Sequence, residues 1–133
     1  MTERPGPPGV PAGSSPGGSV GPPRVDPEDV AAVRLREALA ARDPRVRAES
    51  IARTPPGPGI VAAVEGAMDD PEPMVRIAAA QALARIGSAR SAPRLIRASS
   101  SDPSTDVRLE AVAAIGRLLQ ARLRASEGSP TAP

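Results

Sequence analysis

Asp70-Pro71-Glu72-Pro73-Met74-Val75-Arg76-Ile77-Ala78-Ala79-Ala80-Gln81-Ala82-Leu83-Ala84-Arg85-Ile86-Gly87 returns 32 positions later as Asp102-Pro103-Ser104-Thr105-Asp106-Val107-Arg108-Leu109-Glu110-Ala111-Val112-Ala113-Ala114-Ile115-Gly116. Self-similarity at a fixed period of this length marks a stack of supersecondary units, each of which buries its apolar face only against its neighbours. Within the unit, Asp70 or Glu72 can cap a helix, and Pro71 or Pro73 suits its first turn, where a missing N–H is harmless. Val75, Ala78, Ala79, Leu83 and Ile86 then recur at helical spacing until Gly87 stops the run.

Outward from this stretch the same grammar continues. A shorter helix precedes each copy, over 58–68 ahead of Asp70 and over 92–99 ahead of Asp102, so the unit is helix, tight turn, helix. A degenerate third copy stands at Asp43-Pro44-Arg45-Val46-Arg47-Ala48-Glu49-Ser50-Ile51, two residues shorter between its Asp-Pro and its Val-Arg, and follows a helix that opens at Asp26-Pro27-Glu28-Asp29. The pattern predicts helices over 27–41, 44–53, 58–68, 73–86, 92–99 and 103–124, paired antiparallel. The expected organisation is an all-α solenoid of about three helix pairs over 26–124, between tails at 1–25 and 125–133.

The Asp-Pro turn, Val-Arg, Ala-Ala and aliphatic-Gly series resembles HEAT repeats, in particular the bacterial group similar to phycobilisome-lyase HEAT-like repeats, over roughly residues 27 to 124. The resemblance implies that turn aspartates and second-helix arginines form a hydrogen-bonded ladder along the stack. Asp70 with Arg76, and Asp102 with Arg108, keep one common spacing for this, which Asp43 with Arg47 does not share. It also implies that the second helices line a concave face. Deoxyhypusine hydroxylase, in the same wider family, holds iron through His-Glu pairs, and HEAT-like DNA glycosylases line a base cleft with aromatic rings. With no histidine and no Phe, Tyr or Trp, neither chemistry can be built from this chain.

Composition narrows the function classes further. Without cysteine there are no disulfides, thiolate nucleophiles or cysteine zinc sites, and without histidine the commonest general base and transition-metal ligand are gone. Asp69, Asp70 and Glu72 could in principle face a hard cation, but no further oxygen ligand is at hand, and Pro71 and Pro73 make the segment a helix-entry turn where negative charge suits the dipole. Ser88, Ser91 and Ser99 to Ser101 lie near turns without a base to activate them, and read as capping and solvating groups. No catalytic residue, metal site or cofactor is therefore expected. All 17 basic residues are arginine, with no lysine or asparagine, as the codons of a GC-rich bacterial genome would produce. The formal charge is only +2, so the one-sign field that nucleic-acid binding normally uses is missing.

Thirteen of the first 25 residues are Gly or Pro, and Val10, Val20 and Val25 are the only large aliphatics there, too few to offset the entropy of ordering the segment. It reads as a disordered arm with polyproline character, and 125–133 as a shorter tail of the same kind. No apolar run approaches the 18 or so residues of a spanning helix, and the N-terminus carries no apolar signal core, so a cytoplasmic protein without a membrane partner is expected. The last helix outruns the repeat beyond Gly116, and its Leu118, Leu119 and Leu123 suit either a cap folded back on the third pair or a homodimer contact.

The residue after Val-Arg, with those four and eight further on, forms one strip per second helix: Ile77, Gln81 and Arg85, then Leu109, Ala113 and Arg117. Apolar Ile77 and Leu109 beside Arg85 and Arg117 suit an acidic amphipathic helix or extended acidic peptide, unless the aliphatics pack on the adjacent helix. The work expected is that of a non-catalytic scaffold or adaptor binding another protein through this strip. The alternatives are polyanion binding by Arg85, Arg117, Arg122 and Arg124 with Arg90, Arg94 and Arg97, or service as a non-catalytic subunit of a lyase-type enzyme.

Overall fold

The computed structural model describes residues 27–128, so the arm expected over 1–25 and the residues after 128 lie outside it. The described chain is all helical: α1 (Pro27–Ala38), α2 (Pro44–Ala52), α3 (Pro58–Ala67), α4 (Pro73–Ile86), α5 (Ala92–Ser101) and α6 (Thr105–Gly128), with a 3₁₀ turn at Ala89–Ser91 leading into α5. These form three helix pairs. The second helices stack in one row, α2 on α4 and α4 on α6, while α1 lies against α3.

Helix ends follow from where backbone groups find partners. α1 gives way after Ala38 to bonds of the tighter kind, from the N–H of Ala40 to Glu37 and from the N–H of Ala41 to Ala38. The carbonyls of Ala41 and Arg42 then turn to the Arg47 guanidinium, which is why this helix falls short of the expected 41. α2 opens at Asp43, whose carboxylate accepts from the N–H of Arg45, with Pro44 in the first turn. α4 stops at Gly87, which takes φ +80°, a conformation that any other residue would hold under strain. α5 extends to Ser101 because the N–H of Asp102 still reaches Ala98, and the hydroxyls of Ser99 and Ser100 bond back to Ile96 and Arg97 rather than solvating a turn.

The largest departure is at the C-terminal end. α6 runs through Gly116, as the helix expected over 103–124 does, but the segment expected to become a tail at 125 is helical through Gly128. The overhang does not fold back. Leu118 belongs to the core at 6% exposure, whereas Leu119 and Leu123 stand 58% and 63% exposed.

Burial is carried by aliphatics and alanine. Ile51, Ile60, Val64, Val75, Leu83 and Leu95 are fully enclosed, as are Ala79, Ala80, Ala111 and Ala114. Alanine at helix crossings lets α4 approach both α2 and α6 closely, so a chain without aromatics can still exclude water. The same logic explains Gly59, where an added Cβ would stand 3.1 Å from the Cβ of Ala32 on α1.

Candidate interaction surface

Two features stand out on the row of second helices: the helix-entry turns with their arginines, and the face of α6. At the turns each arginine serves two layers. Arg76 donates from Nη1 to the carbonyl of Asp70 in its own turn (2.7 Å), and its Nε and Nη2 close on both carboxylate oxygens of Asp102 in the next layer, at 2.9 and 3.0 Å. Arg47 does the same one layer earlier, with Nη1 on the carbonyl of Ala41 and the fork on Asp70 at 2.8 and 3.0 Å. Such paired, charge-assisted bonds fix geometry as well as adding energy.

Asp70 and Arg76, and Asp102 and Arg108, therefore meet only through a backbone carbonyl within their own layer, while each carboxylate is held by the arginine of the layer before. Arg47 belongs to this relay despite its different spacing from Asp43, because the anchor is a carbonyl six residues upstream and not the aspartate. Asp43 takes no arginine among the described residues and serves only its own helix entry.

Burial is the largest single influence on the carboxyl groups of Asp70 and Asp102 and pushes them up, but the arginine hydrogen bonds, the N–H groups of Glu72 and Ser104 and the arginine charges together leave both below the usual carboxylate range. The hydrogen bond that Arg47 donates to Asp70 raises its guanidinium in turn.

The strip read from the sequence is split by the structure. Ile77 is half-buried, whereas Leu109 is 63% exposed. Gln81 donates to Oε1 of Glu110 (2.8 Å), and Arg117 lies 3.6 Å from the other oxygen of the same carboxylate. Arg85, expected to be a plain surface side chain, instead donates to the carbonyls of Thr54 (2.9 Å) and Ile51 (3.3 Å) and so ties α4 to the C-terminal end of α2. Ala113 is exposed beside Arg117. Sequence reasoning also missed Ser91, fully buried with its hydroxyl on Glu65 (2.9 Å).

The face of α6 is the clearest exposed apolar surface. Leu109, Val112, Leu119 and Leu123 are all more than half exposed, and with Gly116 they repeat at alternating three- and four-residue steps along one side of the helix. Beside its far end, Leu118, Leu119, Ile115 and Ala121 border a cavity of about 240 Å³ against Gly87, Ala89 and Ala92. Among the described residues no group of side chains has the makeup to hold a metal ion.

Substituting Arg76→Ala removes a fork whose two partners are only about a tenth exposed, and is expected to lower unfolding free energy by about 1–3 kcal/mol in urea melts. Arg85→Ala is expected to cost about 0.5–1.5 kcal/mol through the lost tie to the Thr54 carbonyl, the Ile51 carbonyl keeping the N–H and hydroxyl of Thr54, and Arg117→Ala close to nothing. Because Asp70 and Asp102 have lowered folded-state values, their contribution is complete above the ordinary aspartate value of about 3.9 and disappears as pH falls through the lower folded values. Acid titration of stability should therefore be steepest below about pH 4, and the double variant Asp70→Asn with Asp102→Asn should flatten that limb.

Comparison with protein-family models finds a match to HEAT repeats over residues 32–116, while no curated protein matches the sequence. The match covers most of the chain and spans the three helix pairs from within α1 into α6. With two helix-entry turns tied by arginine forks along one row of stacked helices, this chain belongs to the HEAT-repeat family.

Proposed function

We propose that the protein is a non-catalytic binding module that presents α6 and the adjoining strip to another protein. The observation that carries this reading is the run of Leu109, Val112, Leu119 and Leu123 along one exposed side of α6, in a molecule whose other long aliphatics are mostly enclosed. Contiguous exposed apolar surface of this kind marks interaction sites. Ala113 and Arg117 flank it, while Ile77, Gln81 and Arg85 lie on α4 behind it and act mainly by holding α6 and α2 in place.

Polyanion binding is the weaker reading because four of the seven arginines it needs are engaged. Arg94 pairs with Asp69 and donates to the carbonyl of Glu65, Arg90 lies 3.9 Å from Glu65, Arg117 meets Glu110, and Arg85 donates to helix-end carbonyls, which leaves Arg97, Arg122 and Arg124 for such a role. Service beside a lyase-type enzyme, with a cytoplasmic and bacterial setting, is a narrower form of the same binding role and rests on the resemblance to phycobilisome-lyase repeats. Homodimerisation through α6 draws on the exposed Leu119 and Leu123.

The double variant Leu109→Asp with Arg117→Glu changes two exposed side chains and should leave helicity and melting temperature close to the parent. Immobilised full-length parent should capture a partner from extract of the source cell that this variant releases. Equal capture by both would remove α6 from the interface, and capture that weakens steeply with added salt in the parent would favour a polyanion instead.

A further inference from the structure

The three second-helix arginines share an anchor and differ in what they hold. Nη1 of Arg47, Arg76 and Arg108 donates to the carbonyls of Ala41, Asp70 and Asp102, each six residues upstream, at 2.7, 2.7 and 2.6 Å. In the first two the remaining edge, Nε with Nη2, closes on a carboxylate of the next layer. At Arg108 that edge meets no carboxylate: Nη2 reaches Thr105 Oγ1 on its own helix (2.9 Å), and Nε has no acceptor among the described residues.

The face beside each arginine follows the same series. One residue on stand Ala48, Ile77 and Leu109; four residues on stand Ile51, Ala80 and Val112. In the first two layers these are half-buried and fully buried respectively, because the following layer covers them. In the third, Leu109 is 63% and Val112 56% exposed. Thus the polar fork and the apolar face by which layers join are both present, side by side and uncovered, in the first turns of α6, at the last layer of the described stack. Among the described residues nothing covers it: Leu119 stands where Gly87 ends α4, and the helix runs on to Gly128.

We infer that this end is a docking face for one further helical layer contributed by a partner protein, a helix pair whose entry-turn aspartate enters the Arg108 fork while its apolar side covers Leu109, Val112 and Gly116. The inference rests on the binding-module reading and specifies the partner's chemistry. An aspartate is required rather than a longer acid because in both formed pairs the carboxylate also accepts the N–H two residues on, from Glu72 and Ser104 at 2.9 Å, and only a short side chain closes that turn. A phosphate could pair with Arg108 but would leave Leu109 and Val112 in water. Continuity with the α2–α4 and α4–α6 junctions sets both the register and the kind of occupant.

The test extends the full chain by inserting a second copy of residues 87–118 directly after Leu118, which offers the face its missing layer at high effective concentration. The urea midpoint should rise. Arg108→Gln should then lower the folding equilibrium constant of the extended chain about tenfold or more, and the same substitution should have a much smaller effect in the parent. Changing the inserted copy of the aspartate to Ala should reproduce that loss without adding to it. No rise in midpoint, or an equal effect of Arg108→Gln in both chains, overturns the proposal. Sedimentation equilibrium of the parent addresses the other occupant: self-association that Arg108→Gln abolishes would make the face a contact between copies and would overturn the assignment to a partner, whereas a monomer supports it. These readouts need no captured protein, so they can fail or succeed independently of the binding-module reading.

Discussion

Each layer of this protein is joined to the next by a guanidinium that is anchored on a backbone carbonyl behind it and closed on a carboxylate ahead of it. The geometry matters because the layers have little else that is directional. Their interiors are alanine, valine, leucine and isoleucine, which exclude water efficiently but would tolerate some sliding of one helix along another. A two-pronged polar bond tolerates none, since displacement by one residue would leave charged groups nearly shielded from solvent without partners. The apolar stack supplies the association, and Arg47 and Arg76 supply the register.

That use of arginine bears on function. A chain whose cationic residues are all arginine invites a nucleic-acid reading, yet the two most enclosed ones hold carboxylates, Arg85 holds helix-end carbonyls, and Arg94 and Arg117 meet acidic side chains. Field strength depends on net local charge, and these pairings cancel it. What is left uncommitted on α6 is the exposed series Leu109, Val112, Leu119 and Leu123, with Arg122 and Arg124 toward its far end.

Much of the architecture was legible because helix boundaries in this chain are written in strong punctuation. Asp43, Pro44, Pro73 and Gly87 act locally, and the structure starts α2 and α4 and ends α4 where they stand. Gly116 carried the same symbol without the same consequence. Gly87 ends α4 because the chain there must turn into the next pair, whereas nothing after Gly116 asks α6 to turn, and a helix tolerates one glycine at modest cost. The arginine relay was only half legible. Measured from the nearest aspartate, Arg47 looks out of register; measured from the carbonyl six residues upstream, it is in line, and the sequence does not display carbonyls. Arg85 and the Ser91–Glu65 bond were illegible for a related reason, since their partners lie on other helices at distances only the packed stack defines.

The two ends of the described stack are unlike, and the difference is chemical. At the first turn the carbonyl that anchors the arginine belongs to Ala41, and the Asp43 carboxylate two residues on accepts the N–H of Arg45 but meets no guanidinium among the described residues. An uncovered end that had merely lost its neighbour would be under no pressure to keep either half of the joint. The third layer keeps both halves, with Arg108 held by the same backbone anchor as its counterparts and with Leu109 and Val112 at the places where Ile77 and Ala80 stand one layer earlier. Larger apolar groups at an exposed face cost solubility unless something covers them. The last end shows an anchored arginine edge and an apolar face side by side, and it is where another helical surface gains most by binding.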